Sequence, residues 1–171
     1  MTGRCFVDAN VFVYIRDPRD RRKQAVATSW IEHLWRERIG RTSAQVLSEY
    51  YAVVTRKLVP RVPPELAWDH VAELLSWRPQ PVDGTLLTQA HQVELRYKIS
   101  WWDSMVVAAA QLQDCTLLLT ENLQDGGSYG SVTARSPFTL EARQSVAKYS
   151  PEIAAASRHR PRGRPRHAGP A

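Results

Sequence analysis

The stretch Arg4-Cys5-Phe6-Val7-Asp8-Ala9-Asn10-Val11-Phe12-Val13-Tyr14 places one carboxylate, Asp8, inside an apolar run near the start of the chain. A short apolar run rich in branched and aromatic side chains predicts a buried strand. Asp8 then falls near the carboxyl end of that strand, where open parallel sheets bind their ligands. Because a buried carboxylate costs several kcal/mol unless a cation or hydrogen bonds compensate it, Asp8 requires a partner.

Two roles for Asp8 follow from its position. Aspartate is a favoured N-cap, so Asp8 could cap a helix that begins near Asn10 or Val11. Alternatively, its carboxylate could bind a metal ion. The choice between the two depends on whether other acidic side chains lie at the same edge of the sheet.

Outward from this stretch, apolar side chains recur at helical spacing in several further segments. Serine and aspartate are favoured N-caps, and proline is favoured in the first turn of a helix. Gly40 is interpreted as a glycine just beyond a helix end. The predicted helices cover residues 21–38 and 44–58, begin at 64 or 65, follow Asp83, and begin at 100 or 101, with Ser43 and Asp83 as caps.

Short apolar or branched segments between these helices predict further strands at residues 41–42, 78–82, 117–119 and 131–134. Prolines flank the segment 78–82, which places it near an edge of the sheet. Strands that alternate with helices imply right-handed crossovers and a mostly parallel sheet covered on both faces. The predicted fold class is therefore α/β, with three layers and a sheet of about four or five strands.

Composition divides the chain into a globular body and a basic tail. Of the 171 residues, 43% are hydrophobic, and we expect one domain over residues 1–138 with a further helix over 139–150. Residues 151–171 contain five arginines and one glutamate, a net charge of +4, which leaves +2 of the total +6 for residues 1–150. Because this tail has almost nothing apolar to bury, it is predicted to be disordered.

The two cysteines, Cys5 and Cys115, lie in apolar segments and form no CxxC motif. They are interpreted as packed, reduced thiols, which favours a cytoplasmic location. The sequence contains no apolar run of about 18 residues, so no membrane span is predicted.

Acidic and amide side chains are predicted to converge on the carboxyl edge of the sheet. Asp103 lies in the first turn of a helix, Glu49 lies about two turns into another, and the polar loop 120–127 follows a buried strand. Carboxylates that face one another raise each other's pKa, and a divalent cation removes that conflict. Oxygen ligands without a nearby histidine or cysteine cluster favour Mg²⁺, which takes one or two carboxylates and keeps several waters.

Four segments of this chain resemble the motifs of PIN-domain ribonucleases, and most of all those of the VapC toxins of type II toxin–antitoxin pairs. The resemblance covers residues 4–138, and its specificity comes from the combined order and spacing of the motifs. The matching segments are Phe6-Val7-Asp8-Ala9-Asn10-Val11, Gln45-Val46-Leu47-Ser48-Glu49-Tyr50, Trp102-Asp103-Ser104 and Leu119-Thr120-Glu121-Asn122-Leu123.

This resemblance implies an endoribonuclease that depends on Mg²⁺ or Mn²⁺, is inhibited by a small antitoxin protein and forms a homodimer. Asp8 and Asp103 match the principal metal ligands of the family, and Glu49 matches the second acid of the catalytic group. Asn10 and Thr120 match the supporting amide and hydroxyl.

One position departs from the family pattern. The chain has Asn122 where the family often has aspartate, so one negative charge is missing, and Asp125 lies close enough in sequence to substitute. The main rival function is a PIN-like module that binds RNA or protein without cleaving it, which Asn122 and the basic tail favour. A phosphatase of the haloacid dehalogenase type would require a second aspartate at Asn10, and this counts against it.

Overall fold

The computed structural model describes residues 3–140, which form an α/β fold around one five-stranded sheet. The strand order is β2-β1-β3-β5-β4, and all neighbouring pairs are parallel except β4 and β5. The mostly parallel sheet predicted from the sequence is therefore confirmed. The strands are β1 (Arg4–Val7), β2 (Gly40–Arg41), β3 (Cys115–Leu119), β4 (Ser128–Tyr129) and β5 (Val132–Arg135).

Six α-helices flank the sheet within residues 3–140. The caps Ser43 and Asp83 predicted from the sequence are present, and Ser100 caps a third helix in the same way. Each of these side chains accepts a hydrogen bond from a backbone N–H in the first turn. The helices are α1 (Ala9–Arg16), α2 (Arg21–Glu37), α3 (Ala44–Arg56), α4 (Pro64–Leu74), α5 (Gly84–Tyr97) and α6 (Trp101–Leu112), with a 3₁₀ turn at Leu75–Trp77.

The centre of the sheet is completely buried. All five residues of β3 are buried, and Phe6 and Val7 of β1 have no exposed surface. Helix α6 packs against β3 through a run of small residues, and Ala108, Ala109 and Ala110 are fully buried. Burial on both faces explains why β1 and β3 are continuous apolar runs without alternation.

Two predictions about local structure are wrong. Residues 78–82 do not form a strand: Gln80 alone makes an isolated bridge with Ser43, because the flanking Pro79 and Pro81 have no N–H to donate. Gly40 does not follow the end of α2 but lies in β2, and the left-handed residue that ends α2 is Arg38, with φ of 58°.

The predicted helix over 139–150 and the predicted disordered tail over 151–171 lie outside the described residues, apart from residues 139 and 140. Strand β4 was not predicted; it forms a short hairpin with β5 in which Gly130 has φ of 67°. Across residues 3–140, no helix is both long and apolar enough to cross a membrane.

Candidate active site

Asp8 lies where β1 ends and α1 begins, and only 3% of its surface is exposed. Its backbone N–H donates to the carbonyl of Leu119 at 3.0 Å, which fixes Asp8 against the end of β3. Its Oδ1 accepts a hydrogen bond from the N–H of Ala9 at 2.7 Å. Asp8 therefore caps α1, as one of its two predicted roles required, while its other oxygen, Oδ2, remains for further contacts.

Thr120 and Asn10 provide the polar contacts to Oδ2 of Asp8. The Thr120 hydroxyl donates to this oxygen at 2.7 Å, and Asn10 Nδ2 donates to it at 3.4 Å. Thr120 Oγ1 in turn accepts from the backbone N–H of Asn122 at 3.1 Å. These contacts tie the start of α1 to the loop after β3, so three predicted site residues meet around one carboxylate.

The electrostatic environment of Asp8 disfavours its charged form. Burial, and secondarily the negative charges of Glu49 and Asp103, raise the pKa of Asp8 from 3.8 to about 6, although the hydrogen bonds from Thr120 and Ala9 act in the opposite direction. Because Glu49 and Asp103 affect this pKa, the three predicted acids share one electrostatic environment.

The two other acids reach this environment from helices. Glu49 is exposed on α3, which begins directly after β2 and is capped by Ser43. Asp103 lies in the first turn of α6, where Ser100 Oγ donates to Asp103 Oδ2 at 2.7 Å and accepts from its backbone N–H at 3.1 Å. The Ser100 hydroxyl therefore fixes the Asp103 carboxylate as well as capping the helix.

Asn122 and Asp125 have different surroundings. Asn122 lines an open cavity of about 430 Å³ together with Asp103 and Ser100. Asp125 does not line this cavity: it accepts hydrogen bonds from Arg135 Nε at 2.8 Å, from the Ser136 N–H at 2.9 Å and from Thr139 Oγ1 at 3.2 Å. The Asp125 oxygens therefore close its own loop, and the replacement of the missing acid by Asp125 stays a prediction.

The residues around Asp8 suit a hard cation held mainly by water. Across residues 3–140, no group of three or more His, Cys, Asp or Glu side chains is compact enough to hold a metal ion by itself. However, Mg²⁺ takes only one or two carboxylates and keeps several waters. Asn10 Oδ1 is buried without a hydrogen-bond partner among the described residues, and a buried carbonyl oxygen beside a destabilised carboxylate is a suitable ligand for such an ion.

Sequence reasoning missed one feature that supports this site. Lys23 Nζ binds Glu121 at 2.9 Å, directly after Thr120, and lies 4.6 Å from the centre of the Tyr14 ring. This contact ties the loop after β3 to the start of α2. The two charged residues are far apart in the sequence, so no local pattern could have indicated the pair.

Comparison with known proteins identifies the fold and the family. The family model of the PIN domain matches residues 5–124, a range that contains Asp8, Glu49, Asp103 and Thr120. The chain belongs to the PIN-domain family. PIN domains are in general nucleases, and PIN nucleases generally use divalent metal ions.

Two solved structures are similar to this PIN domain. One is Mycobacterium tuberculosis VapC20, a toxin that cleaves the sarcin–ricin loop, with 21% identity and a TM-score of 0.51 over 67% of this chain and 86% of that one. The other belongs to the FitAB complex bound to the IR36 DNA fragment, with 20% identity and a TM-score of 0.60 over 82% of this chain and 99% of that one. At these identities the likeness shows the fold alone. No curated protein sequence matches the chain.

Proposed function

We propose that this PIN domain is an endoribonuclease that hydrolyses RNA phosphodiester bonds with Mg²⁺ or Mn²⁺ and is the toxin of a type II toxin–antitoxin pair. The observation that carries the proposal is the buried Asp8, whose pKa rises to about 6 because burial and two neighbouring acids disfavour its charge. A metal-dependent nuclease uses such a group of carboxylates to bind a cation next to a phosphodiester.

In the proposed reaction Asp8 and Asp103 would hold the ion, and Glu49 would orient the attacking water. When bound, a divalent ion supplies a water of lowered pKa and neutralises charge on the phosphodiester. Thr120 and Asn10 keep Asp8 Oδ2 in a fixed position, and Ser100 does the same for Asp103. Asn122, on the same cavity as Asp103, offers a neutral oxygen to water or substrate.

The decisive experiment measures cleavage of labelled RNA by the full-length protein with Mg²⁺, with Mn²⁺ and with EDTA. We expect cleavage with either metal and none with EDTA. The variant Asp8→Asn should lose about 10³-fold in rate, or about 4 kcal/mol of transition-state stabilisation, because it removes the central carboxylate. Asp69→Asn is the matched control, since it removes one exposed carboxylate from α4 and should leave the rate unchanged.

The binding-module rival makes a different prediction for the same preparation. The reduced negative charge at Asn122 is the feature that favours this rival. A non-cleaving module needs no metal ion, so it would bind RNA equally well with and without EDTA. RNA binding without cleavage in either metal would select this rival. Full cleavage by Asp8→Asn that also resists the chelator would instead contradict the metal-dependent mechanism.

The proposed antitoxin partner has a candidate surface in an apolar groove of about 530 Å³ between α3 and α4. Tyr51 and Val71 line this groove, and Trp68 beside them is 55% exposed, an unusual position for so large an apolar side chain. An amphipathic segment of a small antitoxin would bury this surface. The free toxin is proposed to be a homodimer, as the family resemblance implies.

Co-expression with the product of the adjacent reading frame tests the partner. We expect the two proteins to copurify, and Trp68→Glu to abolish copurification because it places a charge in the groove. Trp102→Glu, at a tryptophan that is 66% exposed on α6, is the control and should still copurify. Light scattering of the free protein gives its oligomeric state, and a monomer would contradict the homodimer.

A further inference from the structure

A separate cavity lies at the amino end of the strands, away from the carboxylates. It encloses about 290 Å³ between the end of α2, β2 and the 3₁₀ turn. The ring of Trp77 packs directly on Gly40, where any side chain would overlap it, and the rings of Trp35 and Trp77 lie 5.2 Å apart. This cavity, called the arginine pocket below, is lined by Trp35, Arg38, Gly40, Arg41, Ser76 and Trp77.

Two more arginines, Arg4 and Arg78, lie beside this pocket, and Gln113, just beyond α6, contacts both residues. The Gln113 carbonyl accepts from Arg4 Nη1 at 3.1 Å, and the Gln113 side chain donates to the carbonyl of Arg78 at 2.9 Å. Arg4 and Arg78 lie close enough to Arg41 that, together with the larger effect of burial, they lower its pKa. Four arginines from three parts of the chain therefore lie at one end of the sheet.

Few negative charges compensate this cluster. Asp114 lies 3.7 Å from Arg4, but its side chain is 88% exposed, so the attraction is strongly screened. Within residues 3–140, no carboxylate forms an ion pair with Arg38, Arg41 or Arg78. Residues 1–150 carry a net charge of only +2, so the cluster is a local concentration of positive charge on a nearly neutral body.

Phosphate groups and nucleobases are the chemistry that this pocket fits. Arginine presents a planar fork of donors that matches phosphate oxygens, and it stacks on flat rings. Trp35, 37% exposed at the pocket wall, offers an aromatic face on which a base can stack. An acidic peptide would use the charges but would gain little from the tryptophan.

We propose that the arginine pocket binds the backbone of single-stranded RNA at phosphates away from the scissile bond. The proposal rests on the proposed function in that RNA is the substrate. Strand β2 carries Arg41 and leads through Thr42 and Ser43 directly into α3, which carries Glu49. An RNA strand that follows this edge of the sheet contacts the pocket at one end and the carboxylates at the other.

The test is RNA binding by the full-length protein in EDTA, which prevents metal-dependent cleavage. Fluorescence anisotropy with a labelled single strand of about 20 nucleotides gives the affinity at several salt concentrations. Arg41→Gln/Arg78→Gln should weaken binding about tenfold or more, since each charged hydrogen bond contributes substantially. The slope of log K against log salt should become shallower by about 1.4, or about 0.7 for each lost phosphate contact.

The control variant Arg56→Gln/Arg61→Gln removes the same charge from exposed positions elsewhere and should keep the wild-type slope. Arg41→Lys/Arg78→Lys should restore the slope, because lysine keeps the charge. Equal slopes for the two glutamine variants would overturn the proposal. Should Arg41→Gln/Arg78→Gln fail to unfold cooperatively, the exposed Arg38→Gln carries the test, with an expected slope change of about 0.7.

Two competing ligands are measured in the same way. If a polyglutamate peptide or AMP binds in an arginine-dependent manner while RNA binding does not depend on the arginines, the RNA assignment is overturned. Because all these measurements are made without metal, their failure would leave the cleavage experiment unaffected. Conversely, a protein that fails to cleave RNA could still show the arginine-dependent slope.

Discussion

The two ends of β1 carry opposite charges and differ in how far those charges are exposed to water. At the carboxyl end, Asp8 is 3% exposed and accepts hydrogen bonds from the neutral donors Thr120 and Ala9. At the amino end, the Arg4 side chain is 46% exposed and contacts a backbone carbonyl and, at 3.7 Å, the exposed carboxylate of Asp114. A strand of four residues, about 13 Å long, separates the two.

This difference indicates which end of the sheet destabilises the folded state. A buried carboxylate with a raised pKa destabilises the folded state at neutral pH, and a bound cation relieves that cost. Arg4, Arg38 and Arg78 are exposed to water and impose little such cost, although the partly buried Arg41 does lose hydration. The amino end depends mainly on close packing of Trp77 on Gly40. Substitutions at the two ends should therefore have opposite signs.

The largest effect on stability is expected for Gly40→Ala at the amino end. A methyl group at this position would overlap the Trp77 ring, and Gly40 is held in β2 by its pairing with Cys5. Overpacking of this kind should destabilise the protein by about 3 kcal/mol, measured by denaturant unfolding. Gly84→Ala, where no atom lies within 4 Å of the new methyl, should be neutral or slightly stabilising.

The next effect is of opposite sign, at the carboxyl end. Because the pKa of Asp8 is raised from 3.8 to about 6 in the folded state, the protein loses about 3 kcal/mol of stability as the pH rises through this range and Asp8 becomes charged. Asp8→Asn removes that loss but also weakens the Thr120 hydrogen bond by about 1 kcal/mol, so we expect a net gain of about 2 kcal/mol at pH 7.

The pH dependence distinguishes this explanation from a general packing effect. Below pH 3.8 Asp8 is mostly protonated in both the folded and the unfolded state, so the stability advantage of Asp8→Asn should disappear and wild type should melt at the same or a slightly higher temperature. Mg²⁺ at pH 7 should raise the melting temperature of wild type only. The electrostatic account would be contradicted if the difference in stability between wild type and Asp8→Asn were the same at pH 3.5 and at pH 7.

The smallest effect concerns Thr120. Thr120→Val removes the 2.7 Å hydrogen bond that favours the charged form of Asp8, so the pKa of Asp8 should rise further, by about 0.7 for a bond of about 1 kcal/mol. Carboxyl ¹³C NMR titration measures this pKa directly. Thr116→Val, within β3, is the matched control, because its buried hydroxyl has no partner among the described residues and its loss should leave the pKa of Asp8 unchanged.

Much of the fold could be predicted from the sequence because buried strands and capped helices leave local signals. The apolar runs at β1 and β3 and the caps Ser43 and Asp83 are examples. The segment 78–82 misled because alternation with prolines resembles an edge strand, whereas pairing needs N–H groups that Pro79 and Pro81 lack. The prediction that Gly40 ends a helix was wrong, because in the sequence a glycine that tertiary packing requires cannot be distinguished from one that ends a helix.

The candidate site was predicted less completely, for a physical reason. Asp8 was given two alternative roles, helix cap or member of an acidic group, and the structure shows that its two oxygens do different things. Asp125 was expected to help because it is near Asn122 in sequence, but its contact with Arg135 depends on a strand ten residues later. The metal ligands and the catalytic roles stay predictions that the cleavage experiment tests.

Both outermost strands of the sheet, β2 and β4, are only two residues long, and β4 is antiparallel to its neighbour. Such short borders offer very few free N–H and C=O groups to another chain. Copies of this protein are therefore poorly suited to join their sheets into one continuous structure, which protects them from edge-to-edge aggregation. Any self-association within the described part of the chain must instead use helical surfaces.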